Sequence, residues 1–92
     1  MLSILHANYL GEYKVEVTFN NEKIGIADLS TLVETFKPFQ ILRDQQKFAD
    51  FSVDYTIKWP NELDLAPEYI YFKAFENDPS LHDLFEEWGY VA

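Results

Sequence analysis

Three carboxylates in one short stretch, Glu62, Asp64 and Glu68, are the side chains of this sequence best suited to chemistry. Carboxylates work as paired acid and base, or hold Mg²⁺ or Ca²⁺ through oxygen. The stretch lacks the repeated ligands and the sharp glycine of a calcium loop. Loop acids and amides more often cap backbone donors. The expected role of Asn61 and Asp64 is therefore structural: they tie down backbone N–H groups of residues 59–67. No metal and no cofactor is expected. His6 and His82 lie far apart in sequence and read as exposed or structural. Ser30, Ser52 and Ser80 lack the context of a nucleophile, and Ser30 and Ser80 stand where helix starts favour hydroxyls. Three glycines, none clustered, make no phosphate-cradling loop. An enzyme is not expected; the alternative is a small enzyme or metal protein built on the carboxylates of residues 59–71.

Those carboxylates are positioned by what precedes them. Phe51, Val53, Tyr55, Ile57 and Trp59 alternate with Ser52, Asp54, Thr56 and Lys58. Alternation at period two is that of a half-buried strand, and residues 51–59 are expected to form one strand with five large side chains on its core face. Pro60 ends it. Residues 60–67, with two prolines and an asparagine, read as a structured loop. Pro67 at a first helical position starts a turn through Tyr71, and residues 72–77 link to the last element.

Upstream, residues 2–10 read as a first strand. Tyr13–Phe19 alternates cleanly, Asn20-Asn21 supplies a tight hairpin, and Lys23–Ala27 returns with Ile24 and Ile26 facing the core. Asp28 or Ser30 caps a helix of two turns at most, with Leu29, Leu32, Val33 and Phe36 along its stripe. Lys37-Pro38 breaks it. Residues 39–43 make another brief turn, and Asp44 caps a second short helix to about Asp50, burying Phe48. At the C-terminus Asp78 is an N-cap, Pro79 a first helical residue and Gly89 a C-cap. Between them Leu81, Leu84, Phe85 and Trp88 form one apolar stripe. That helix docks on the chain's own sheet or on a second copy, making a homodimer; intramolecular docking is favoured.

Composition bounds the rest. The 92 residues make one domain, with 48% hydrophobic and 17% aromatic residues and no cysteine. No run approaches the roughly 18 apolar residues of a membrane span. No signal peptide is visible, so a cytoplasmic protein without a membrane is expected. The net charge is −9: residues 1–43 hold five acids and four bases, residues 44–92 eleven acids and three bases. Such a field repels phosphate backbones, and the chain is not expected to bind nucleic acid by itself. Eight Phe, six Tyr and two Trp exceed what a small core encloses. Tyr69, Phe72, Phe75, Phe85 and Trp88 are therefore candidates for an aromatic interface as well as for core.

In order along the chain, Val-Glu-Val-Thr-Phe-Asn-Asn, Ala-Asp-Leu-Ser, Leu-Arg-Asp-Gln-Gln-Lys-Phe-Ala and Ile-Lys-Trp-Pro-Asn-Glu-Leu-Asp-Leu-Ala-Pro-Glu-Tyr-Ile-Tyr resemble the small bacterial family catalogued as domain of unknown function 2442. The resemblance covers residues 1–73, leaving 74–92 as a C-terminal helical extension. It is most specific at Trp59, Pro60, Asn61, Asp64, Pro67, Glu68 and Tyr71. It implies a compact α+β domain and a gene lying beside another small gene, an arrangement like a toxin–antitoxin pair. Some relatives carry a DNA-binding helix-turn-helix after this domain; the residues after 73 are too few to hold one. The position after Asn61 is usually glycine in the family and is Glu62 here. The segment between Val53 and Ile57 is shorter than the usual hairpin turn, which favours one continuous strand.

The expected fold is α+β: an antiparallel sheet of about four strands, short helices on one face and a C-terminal amphipathic helix. The expected function is that of an acidic, non-catalytic protein-interaction module. It would serve as the neutralising member of a two-gene pair, with a protein partner encoded nearby.

Overall fold

The alternation over residues 14–19 decides where the core lies. Val15, Val17 and Phe19 point to one side and are fully buried, in one core cluster with Val33, Phe48, Ile70 and Phe85 from the helical segments. The structure is a computed structural model that describes residues 1–91. Strands β1 (Ile4–Gly11), β2 (Lys14–Phe19) and β3 (Ile24–Asp28) form an antiparallel sheet in the order β1-β2-β3. Ala7 lies opposite Val17 and Val15 opposite Ala27. As expected, the class is α+β with antiparallel sheets, but the strands divide into two sheets of three. The second contains β4 (Ser52–Asp54), β5 (Thr56–Trp59) and β6 (Leu63–Asp64), in that order.

Helix α1 (Ser30–Thr35) follows the first sheet, then a 3-10 segment at Lys37–Arg43 and helix α2 (Gln45–Ala49). Asp28 accepts the Ser30 N–H at 3.0 Å. That bond, then one with the Ser30 hydroxyl, then the fields of Lys14 and Lys73 hold its carboxyl below the usual range despite some burial. Asp44 caps α2 by accepting the Gln46 N–H at 2.9 Å, and Phe48 is buried, as the sequence led us to expect. Helix α3 (Pro67–Phe75) starts at Pro67 but runs a turn beyond Tyr71. Its last turn is helical because Phe72 and Phe75 both find aromatic partners, Phe85 at 5.0 Å and Tyr71 at 4.8 Å. The C-terminal segment opens as a 3-10 turn at Pro79–Leu81 and continues as helix α4 (His82–Glu87), with Gly89 at φ 86°. Asp78 accepts from the Ser80 hydroxyl at 2.7 Å and its N–H at 2.9 Å, which lower its pKa.

Three expectations are corrected. Residues 51–59 are not one strand but the hairpin β4–β5. Asp54 pairs with Thr56, and Tyr55 between them takes φ 55°. Its reversal is held by the Ile4 N–H, which donates to the Tyr55 carbonyl at 2.7 Å. Lys58 lies 4.7 Å from the Tyr55 ring centre. Ile24 and Ile26 do not face the core; they are 60% and 51% exposed. The core face of β3 carries Gly25 and Ala27, because Phe75 and Ala74 of α3 fill the space where larger side chains would go: a Cβ on Gly25 would stand 2.8 Å from the Phe75 ring. Finally, the loop 60–67 contains a strand, since Leu63 pairs with Trp59 and Asp64 with Lys58.

The β5–β6 connection puts Asn61 and Glu62 at φ 68° and 63°. Asparagine tolerates that conformation; glutamate is strained there by about 1–2 kcal/mol. A glycine at 62 relieves the strain at the expense of extra freedom in the unfolded chain, about 0.5–1 kcal/mol. Glu62→Gly is expected to raise stability by up to about 1 kcal/mol in a denaturant melt, whereas Glu62→Ala, which keeps the Cβ, does not. Equal midpoints for the two variants would remove backbone strain as the account of this turn.

Candidate functional site

The residues that the sequence marked between 59 and 71 divide into a buried and an exposed set. Trp59 is 4% exposed. It sits edge-on to Phe39 at 5.7 Å and tilted against Phe48 at 5.6 Å, and its indole N–H donates to the Phe48 carbonyl at 2.7 Å. Thr56, equally enclosed, donates its hydroxyl to the Leu65 carbonyl at 2.5 Å, which fastens the chain leading into α3. Pro67 is buried at the start of α3. Tyr71 lies edge-on to Phe19 at 4.9 Å, and the Asn21 amide donates to its hydroxyl at 3.4 Å. These positions hold the two sheets and α3 together.

Pro60, Asn61, Glu62 and Asp64 are exposed, and Glu68 is half-buried in the first turn of α3, where an acid suits the helix dipole. The expected capping role of Asn61 and Asp64 is not met. Among the described residues neither side chain bonds the backbone of the loop, and the turn is set by two left-handed residues. The three carboxylates are spread over a turn, a strand and a helix. Among the described residues no three His, Asp or Glu side chains come together in a way that could hold a metal ion. His82 meets Glu86 at 3.7 Å on the exposed side of α4, and His6 is exposed on β1.

Pro60 and Asn61 do share a feature with residues from elsewhere. With Ile41, Leu42, Lys47 and Asp50 they line an open cleft of about 220 Å³ between the hairpin, the 3-10 segment and α2. Leu42 is buried, while Ile41 is 46% exposed. The cleft is smaller than the roughly 300 Å³ at which small-molecule pockets begin. It has room for about one side chain, with an ammonium, a carboxylate and an amide at its rim. Isolated motif residues gave no signal for this grouping; the available signal was that Lys47 lies inside the stretch Leu-Arg-Asp-Gln-Gln-Lys-Phe-Ala.

The aromatic candidates form a different feature. Phe85 is core and not surface, 1% exposed between Tyr71, Phe72 and Trp88. Tyr69, Phe72, Phe75 and Trp88 are half-buried. Trp88 packs on Tyr71 at 6.0 Å, Phe72 stacks on Tyr90 at 5.0 Å and Tyr69 meets Tyr90 at 5.9 Å. Burial raises the pKa of both Tyr69 and Tyr90. The C-terminal helix thus docks within the chain, on α3.

A three-stranded sheet roofed by short helices, joined to a smaller sheet whose hairpin carries Trp-Pro-Asn beside an open cleft, places the protein among compact α+β domains. The chain belongs to the family described as protein of unknown function DUF2442, whose model matches residues 4–76. In three dimensions it is similar to the crystal structure of a candidate DNA-binding protein from Nitrosomonas europaea, with a TM-score of 0.74 at 12% identity. The match covers 99% of this chain and 63% of that one, so this chain spans less than two thirds of its neighbour's length. At that identity the likeness shows the fold. No curated protein matches the sequence. Among the described residues no helix is long and apolar enough to cross a membrane.

The division into two sets predicts opposite responses. Trp59→Phe leaves the buried Phe48 carbonyl unpaired and is expected to cost about 1–3 kcal/mol. Asp64→Ala, at an exposed position, should stay within about 0.5 kcal/mol of the parent. Denaturant midpoints check both, and a large loss at Asp64 would restore its structural role.

Proposed function

We propose that this chain is a non-catalytic protein-interaction module that binds its partner through the cleft beside the Trp59–Asp64 hairpin. The observation that carries this reading is the cleft's lining: the exposed Pro60-Asn61 of the family motif together with Ile41, Lys47 and Asp50. The opening is smaller than most small-molecule pockets, which supports this reading, and interfaces of standard kind take an anchor side chain in such a pocket. The gene arrangement that the family resemblance implies supplies the partner, the product of the adjacent gene, which this acidic protein would neutralise.

Coexpression with that product tests the reading. The two should copurify, and Ile41→Glu or Lys47→Glu should weaken binding at least about tenfold, a hot-spot effect, without lowering the melting temperature. Turnover of any substrate that depends on Glu62, Asp64 or Glu68 would overturn it.

The neighbour's name raises DNA as a ligand. Against that stands the charge of this chain, −9 overall, with eleven acids and three bases in residues 44–92. A protein without a basic stripe has no counterion-release term to draw on. Duplex DNA in an anisotropy titration is expected to show no salt-sensitive binding tighter than about 10⁻⁴ M, the weak end of non-specific affinity.

A further inference from the structure

The two edges of the first sheet are treated differently. On the β1 side the register breaks twice, between Ile4 and His6 and between Tyr9 and Gly11. The tip of the β4–β5 hairpin also rests there, through the Ile4–Tyr55 hydrogen bond. Bulges and a covering loop are the usual means of blunting an edge. The β3 edge has no bulge, since its register with β2 is unbroken from Ile24 to Asp28; helix α3 packs on the strand's other side, at Gly25. The strand also contains no proline, and no charged side chain between Lys23 and Asp28.

Which backbone groups of β3 are free follows from its ends. The Phe19 N–H donates to the Lys23 carbonyl and the Leu29 N–H to the Tyr13 carbonyl, both at 2.9 Å. In the same register the odd residues of β3 form the hydrogen-bonded pairs with β2, and the even residues point their N–H and C=O groups the other way. Ile24, Ile26 and Asp28 therefore present an edge, and among the described residues their groups on that side have no backbone partner. The same residues carry the two exposed isoleucines.

We infer that β3 pairs with the β3 of a second copy of this chain, antiparallel and two-fold about Ile26, to give a dimer with one six-stranded sheet. The strand is self-complementary in that arrangement. Ile26 meets the second copy's Ile26 in a hydrogen-bonded pair, and Ile24 pairs with Asp28 on either side. Between them Gly25 faces Ala27, small residues where paired side chains come closest. In this register Lys23 falls opposite Leu29 and Asp28 opposite Ile24, so the two charges lie on opposite faces of the sheet and the pairing rests on the backbone groups and the isoleucines. In the single chain the Asp28 carboxylate is held by Ser30, and Lys23 reaches over the Phe75 ring at 5.8 Å. Because the β1 edge is covered, the assembly closes at two copies and does not extend into a fibre. None of these residues lines the cleft, so the dimer stands independently of the partner proposed for that site.

Sedimentation of the full chain, raised to about 1 mM to catch a weak dimer, should show a monomer–dimer equilibrium. Ile26→Lys sets two like charges opposite each other and should raise the dissociation constant at least about tenfold. Ile26→Pro removes the N–H that faces the edge and none used by β2, and should abolish the dimer. The native chain has no cysteine, so the register can be read by oxidation of single-thiol variants. Ile26→Cys should form a disulfide-linked dimer, its Cα atoms lying about 5.5 Å apart within the range a disulfide spans. Ile24→Cys should not, since its two copies lie about 14 Å apart along the strands. A chain that stays monomeric at the highest concentration leaves the edge to a strand from another protein and overturns the proposal. So does a dimer that Ile24→Cys crosslinks as well as Ile26→Cys, or one that survives both the Lys and the Pro variant.

Discussion

Phe48 joins the two halves of the molecule. Its ring, fully buried, meets Tyr9 at 5.4 Å and Tyr13 at 5.2 Å from the first sheet and Trp59 at 5.6 Å from the second. Its carbonyl accepts the Trp59 indole N–H. Short sheets gain stability by packing an apolar face on other elements, and both sheets here pack on this residue. The position of Phe48 rests in turn on a five-residue helix, which is too short to persist without a cap and tertiary contacts. Asp44 supplies the cap. Gln45, the next residue, accepts the Tyr9 hydroxyl at 2.7 Å and so ties the helix to β1.

The same neighbourhood explains a backbone that would otherwise be costly. Glu12 and Tyr13 form the two-residue β1–β2 turn with φ 54° and 64°, positions that asparagine and glycine usually hold. Tyr13 is kept there from three directions. Its hydroxyl donates to the Arg43 carbonyl, its ring abuts Phe48, and its carbonyl accepts the Leu29 N–H. Its side chain does work that glycine could not do, which is a physical reason for an aromatic residue in a left-handed turn.

What could be read from the sequence was whatever a local rule determines. The alternation of Val15–Phe19, the aspartate caps at 44 and 78 and the proline at 67 each depend on a few neighbouring residues, and each emerged in the structure, though Tyr13, expected in that strand, lies in the turn before it. The reversal at Tyr55 did not, for a specific reason. When a single residue makes the turn, Val53 and Ile57 share a face just as they would in one strand, so a period of two is the same for the strand and for the hairpin. Ile24 and Ile26 failed differently. Choosing the larger residues for the core ignores what stands opposite, and Phe75, fifty residues away, had already taken that volume. The exposed cleft was least legible of all, because Asn61 and Lys47 meet only once both hairpin and helix are folded.

The pairing of each tryptophan with one half of the molecule gives the chain two built-in optical probes. Trp59 is shut inside the hairpin node, its indole hydrogen-bonded and away from solvent, while Trp88 is partly open at the far end against Tyr71 and Tyr90. Their emission should therefore lie at different wavelengths. Loss of the C-terminal helix and loss of the second sheet would then register as separate spectral events if they occur at separate denaturant concentrations. A single coincident change would mean that the aromatic ladder along α3 and the Phe48 node melt as one cooperative unit.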